Sequence, residues 1–122
     1  MAIKKVFVAN RLAMERAAET PDDRKATPVF RGCIAYFPRA LAEVSRVSAK
    51  GNAQHHPDKP LHWDKAKSRD HADALMRHLM DSTVHELDDD GQLHLGKVAW
   101  RALALLETYL EGRDAKQVAK PD

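Results

Sequence analysis

The chain has 122 residues, 43% of them hydrophobic, enough for one small core and too little for two large domains. No apolar run approaches the roughly 20 residues of a bilayer-crossing helix, and the stretch from Val6 to Ala9 is too short for a secretory h-region. Twenty Lys and Arg against eighteen Asp and Glu leave +2, too little to argue for non-specific or sequence-specific nucleic-acid binding. The single Cys33 excludes an internal disulfide and a multi-cysteine zinc site, so a reducing cytoplasm is the expected compartment.

In chain order, the segment from Arg11 to Glu19 is rich in helix formers, and Ile3, Val6, Phe7, Met14 and Ala17 fit one helical face. Thr20-Pro21-Asp22-Asp23 reads as a stop and turn, and Pro28 prolongs the loop, so residues 1–28 form a helical arm and linker. Pro38 suits a first helical turn; the helix it opens carries Leu41, Val44 and Val47 on one face and reads as capped at Gly51-Asn52. From Asn52 to Lys67 runs a long polar loop. Because it contains Leu61 and Trp63, it is expected to be ordered and packed.

Ser68 is a good N-cap, and Ala72, Leu75, Met76 and Leu79 at i, i+3, i+4, i+7 form the expected buried face of the next helix. Asp88-Asp89-Asp90-Gly91 is a turn; it lacks the closing glutamate of a calcium loop. The last helix is expected from about Leu93 to Glu111, with Leu95, Val98, Ala99, Ala102, Leu105, Leu106, Tyr109 and Leu110 as its core face. Gly112 ends it and leaves residues 113–122 as a polar, disordered tail. The fold class is all-α: a compact bundle of about four helices, with the single folded domain over 29–112 and a long ordered loop between the middle helices.

Seven histidines fall between Gly51 and Leu95, the one compositional feature that points to a site. His71 and His78 lie two helical turns apart, ~10 Å along the axis, so one ion needs help from another element to reach both. His78 and Asp81, at i, i+3, are close enough to share an ion or a proton. On the last helix His94, Lys97 and Arg101 form a polar stripe opposite the apolar face, suited to phosphates if Arg77 and His78 lie alongside, with Trp100 near enough to stack on a base. The alternative for each is an ordinary solvated helix face, or a tryptophan in the core. The phosphate-binding GxxxxGK[ST] loop, GxGxxG, HExxH, GxSxG, a His-Asp doublet and an EExxE helix are all absent.

Tyr36-Phe37-Pro38-Arg39-Ala40-Leu41, Gly51-Asn52, Pro60-Leu61-His62-Trp63, Lys67-Ser68-x-Asp70-His71-Ala72-Asp73, Arg77-His78-Leu79, Asp90-Gly91 and the run from Ala99 to Leu106 occur in that order. Together they resemble small phage and prophage proteins of the dATP/dGTP diphosphohydrolase N-terminal domain family, over roughly Gly32 to Glu107. The resemblance implies a phage-type, cytoplasmic nucleotide-recognition domain. In it His71, Arg77, His78, His94, Lys97, Arg101, Lys67 and Asn52 meet the ligand, and Trp63 or Trp100 stacks on a base. The loop from Gln54 to Asp58 departs from the family pattern, in which an Asn precedes the Pro and a Gly follows it.

Two outcomes branch from this reading. The protein sequesters a nucleotide or nucleotide-derived host immune signal as a counter-defence; or it is a metal-dependent nucleotide phosphohydrolase in which His71, His78 and Asp73 (or Asp81 or Asp90 in its place) hold Mg²⁺ or Mn²⁺. A non-catalytic protein-interaction domain is the rival from another class. A chain this small is expected to gain stability as a homo-oligomer.

Overall fold

The residue patterns fold mainly into helices. In the computed structural model, which describes residues 3–17 and 20–119, five α-helices run in the order α1 (Ile3–Ala17), α2 (Pro21–Lys25), α3 (Pro38–His55), α4 (His71–Ser82) and α5 (His94–Ala119). A single π-helical turn, Phe30–Ile34, precedes α3. The extended content among the described residues is one isolated bridge, Leu87 with Leu93. No described helix is long and apolar enough to cross a membrane.

The chain falls into two compact units, Met1–Pro38 and Arg39–Asp122. In the first, Thr20 to Asp23 starts a helix instead of ending one. The Thr20 hydroxyl accepts from the Asp23 N–H at 3.1 Å, the Asp23 carboxylate accepts from the Thr20 N–H at 3.1 Å, and Pro21 occupies the first turn. That reciprocal box satisfies two of the donors a helix start leaves open, so residues that read as a turn become α2.

The second unit is organised by an antiparallel pairing of α4 with α5. His71 meets Arg101 and His78 meets His94, so position i on one helix faces roughly 172 − i on the other. Ala74, fully inaccessible, lies midway between the two contacts, and Ala104 is 3% exposed on the same face of α5. Gly96 faces α3, where a Cβ would lie 3.4 Å from Val47 Cγ2. The Trp100 indole N–H donates to Ser48 Oγ at 2.8 Å and ties α5 to α3 a turn further on.

Several boundaries differ from the expected ones, each for a local reason. α3 continues through Gly51-Asn52 to His55, and the Asn52 side chain clasps the following loop instead of capping the helix. Asp70, not Ser68, precedes α4, because the Ser68 hydroxyl is taken up by Arg101 and Asp70. α5 runs through Gly112 to Ala119, so residues 113–119 are helical; the Ala, Lys and Gln that follow the glycine favour helix enough to carry it.

The largest difference is which faces turn inward. On α4 the buried residues are His71, Ala74 and His78, whereas Ala72, Met76 and Leu79 are exposed. On α5 the inner face carries His94, Lys97, Arg101 and Ala104, and most of the face expected to be core lies outside, with Leu95 60% and Tyr109 66% exposed and Val98, Ala99 and Leu110 half-buried. The pairing that joins the two helices is polar, and it draws the histidine faces together.

Candidate functional site

Three polar clusters line up along the α4–α5 seam and open toward a cleft beside α3. At one end, Arg101 Nη1 donates to Ser68 Oγ at 2.8 Å and to His71 Nδ1 at 3.0 Å. Arginine only donates, so His71 Nδ1 is the unprotonated nitrogen and Nε2 carries the hydrogen. That Nε2 is buried without a hydrogen-bond partner among the described residues. Burial, and then the Arg101 charge, hold the His71 pKa below its ordinary value, so the ring is neutral at physiological pH. Ser68 passes its own hydroxyl hydrogen to Asp70 at 2.8 Å, which lowers the Asp70 pKa.

In the middle, Lys97 reaches Asp88 Oδ2 at 2.6 Å and Asp90 Oδ2 at 2.7 Å. The turn that presents these carboxylates depends on Gly91, whose φ of +81° lies in the region other residues rarely adopt. Each aspartate braces the turn with its other oxygen: Asp88 Oδ1 accepts from the Asp89 N–H at 2.8 Å, and Asp90 Oδ1 from the Gln92 N–H at 3.0 Å. The Lys97 hydrogen bond is the main cause of the lowered Asp88 pKa. Burial works to raise Asp90, but Lys97 and the Gln92 N–H outweigh it and leave that pKa lowered too. Lys97 is itself raised, the two carboxylates overcoming the burial that opposes its charge. At the far end, His78 Nδ1 and His94 Nδ1 face each other at 3.0 Å, and Asp88 Oδ2 lies 4.0 Å from His78 Nδ1. Burial first, and Lys97 second, lower the His78 pKa.

The cleft, of about 950 Å³, lies between α3, the loop over residues 56–70 and α5. That volume is in the range of small-molecule sites. The loop is anchored at several points. The Asn52 amide donates to the Lys59 carbonyl at 3.1 Å and its oxygen accepts from the His62 N–H at 3.4 Å, Lys65 pairs with Glu111 at 2.6 Å, and Trp63 meets Trp100 edge-on at 5.7 Å. Lys65 also sits over the Trp63 ring, 4.9 Å from its centroid.

Of the residues singled out from the sequence, Asn52, Trp63, Lys67, His78, Lys97, Trp100 and Arg101 line this cleft; His71, Asp73, Arg77 and His94 do not. Arg77 and Asp73 are exposed on α4. His71 and His94 are buried against Arg101 and His78. Asn52 uses both ends of its amide to hold the loop, and Lys97 is neutralised by its two aspartates. Lys67 lines the cleft with no ion pair among the described residues.

Sequence reasoning gave no role to Ser48, which holds Trp100, or to Asp88, and it offered Asp90 only as an alternative metal ligand, whereas Asp88 and Asp90 together hold Lys97. The departure of the Gln54–Asp58 loop from the family pattern counted against His56 as a site residue, yet its ring lies 4.6 Å from that of His62 at the cleft. The signal for His56 was present in Pro57 and Pro60, which turn the loop back between the two histidines.

Residues 18–118, most of the chain, match the family model described as dATP/dGTP diphosphohydrolase, N-terminal. No curated protein and no solved structure matches the chain.

Proposed function

The chain belongs to the dATP/dGTP diphosphohydrolase N-terminal family, and from that premise we propose that the α3–α5 cleft binds a purine deoxynucleoside phosphate and holds it without turnover. The observation that carries this reading is the cleft itself: about 950 Å³, with Trp63 and Trp100 in its wall and Lys67 and Arg101 on its lining. An aromatic surface beside cations is the combination a nucleotide needs, one for the base and the other for the phosphates. Lys67 takes the phosphate role more readily than Lys97, whose charge is already balanced. Arg101 commits Nη1 to Ser68 and His71, which leaves its other N–H groups for a ligand. A phage protein with such a cleft sequesters a nucleotide or a nucleotide-derived host signal, in keeping with a counter-defence role.

Titration of the full chain with dATP, dGTP and cyclic dinucleotides, followed by tryptophan fluorescence and calorimetry, tests the reading. Saturable binding is expected with the nucleotide recovered intact. Trp63→Ala should weaken it by roughly 5- to 100-fold, the usual worth of one stacked base. Absence of any saturable signal would overturn the nucleotide assignment, whereas Mg²⁺- or Mn²⁺-dependent release of phosphate or diphosphate would replace binding by hydrolysis.

A specific observation supports a second, compatible reading, self-association. Leu95, Val98, Ala102, Leu105 and Tyr109 follow one another at spacings of three and four along α5, and Leu106 extends the same side. This is the repeat of a helix seam that packs against an identical helix. Four of these side chains, Leu95, Leu105, Leu106 and Tyr109, are large and exposed, while the buried apolar side chains among the described residues are two alanines. The run spans ~21 Å at 1.5 Å per residue, long enough for a helix-to-helix dimer contact. A dimer mass by light scattering is expected, and Leu105→Glu, on the seam and outside the cleft, should shift it to monomer. A monomeric parent chain at high micromolar concentration would rule the seam out as a self-association surface.

A further inference from the structure

We propose that His78, His94 and Asp81 form a binding site for one divalent transition-metal ion where the end of α4 meets the start of α5. A ligand atom from each of the three residues lies within 4.8 Å of the others, and this is the group with such spacing among the described residues. Two helices supply it. His78 and Asp81 are one turn apart on α4, and His94 opens α5 and is fixed by its own N–H donating to the Glu86 carbonyl at 3.1 Å.

The histidine pair carries the argument. Two buried imidazoles present Nδ1 to Nδ1 at 3.0 Å, an arrangement in which one ring must donate and the other accept. Two nitrogens bound at about 2.1 Å to adjacent positions of a six-coordinate ion lie about 3.0 Å apart, so the observed separation is that of a chelating pair once the shared proton moves to the Nε2 of its own ring and both Nδ1 lone pairs turn to the ion. The Asp81 carboxylate is exposed and approaches from the solvent side, where the remaining coordination positions would be filled by water.

The surroundings agree with this choice. Lys97 would repel a cation, but Asp88 and Asp90 neutralise it, and Asp88 lies within outer-sphere reach of His78. The ligands are two imidazoles and a carboxylate, which suit Mn²⁺, Fe²⁺, Co²⁺, Ni²⁺ or Zn²⁺ and not Ca²⁺. The set differs from His71, His78 and Asp73. His71 is bonded to the Arg101 guanidinium, which bars a cation, and Asp73 points into solvent from α4. The inference does not rest on the nucleotide reading, and its test uses the metal alone.

The full chain, stripped with chelator and exchanged into metal-free buffer near pH 7.5, is titrated with Co²⁺ by visible absorption and with Mn²⁺ and Zn²⁺ by calorimetry. Binding is expected to saturate at one equivalent and to raise the thermal unfolding midpoint. Asp81→Asn, an exposed change that leaves both buried rings in place, should weaken binding at least tenfold, and His94→Gln should abolish it while the helical circular dichroism is retained. His56→Gln should leave it unchanged. Absence of saturable binding by the folded parent chain overturns the site, as does an affinity that survives Asp81→Asn or is lost in His56→Gln. The Asp81 variant decides the question even if His94→Gln fails to fold.

Discussion

Replacing Ala74 by leucine is expected to destabilise the second unit by about 1–3 kcal/mol, a typical cost of overpacking, which corresponds to a fall in Tm of roughly 5–20 °C for a unit of this size. The reason lies in the register of the helix pair. Ala74 has no accessible surface and sits between the His71–Arg101 and His78–His94 contacts, each of which has a 3.0 Å nitrogen–nitrogen separation. Three added carbons have nowhere to go unless α4 moves away from α5, and that movement stretches both polar contacts at once. Packing and hydrogen bonding therefore fail together. Ala72→Leu, two residues away on the exposed side of the same helix, adds the same volume and should change Tm by no more than a degree or two. Thermal unfolding of the two variants side by side checks the register; equal midpoints would show that the α4–α5 contact is looser than these distances require.

Lys97→Met is expected to cost about 1–3 kcal/mol at neutral pH, the range of charge-assisted hydrogen bonds lost between partly buried groups. The substitution keeps most of the aliphatic stem and removes the charge, so Asp88 and Asp90 face each other with nothing between them. Their side chains are 27% and 18% exposed, too little for water to restore what the ammonium supplied. The turn through Gly91 that both carboxylates brace should loosen with them.

The pH dependence has a definite sign. The two aspartate pKa values are lowered in the fold, so their contribution is complete above the unfolded value near 4 and is lost as pH falls through the lowered folded values. The Lys97 pKa is raised, so its contribution is complete below about 10.5 and is lost as pH rises through the folded value. Between those limits the difference between parent and Lys97→Met should be flat. As pH falls through the lowered folded values it should shrink, because protonated aspartates no longer need the lysine. Urea unfolding from pH 2.5 to 9 measures this directly. Adding Asp88→Asn and Asp90→Asn to Lys97→Met should recover part of the loss, since an uncharged set leaves no carboxylate stranded; a triple variant less stable than the single one would contradict the electrostatic account.

What the sequence by itself determined was the helical class, the four main helical segments, the turn at Asp88 to Gly91 and the membership of each polar stripe. These follow from propensity and periodicity, which act over a few residues and do not depend on distant partners. Thus His94, Lys97 and Arg101 were legible as one face, and the loop as ordered, although only Trp63 packs and Leu61 is 64% exposed. Only the tertiary structure decided which face turns inward. Periodicity groups residues on a side of a helix but carries no sign when the other helix offers matching polar groups; here His71 and His78 bring partners for Arg101 and His94, and the leucine side of α5 is left outside. The same holds for the candidate sites. Lys97 seen alone is a phosphate ligand, and only the turn that folds Asp88 and Asp90 onto it makes it an internal ion. Asp81 and His94 are separated by a helix end, a turn and a bridge, and they meet beside His78 because the antiparallel register of α4 and α5 places them there.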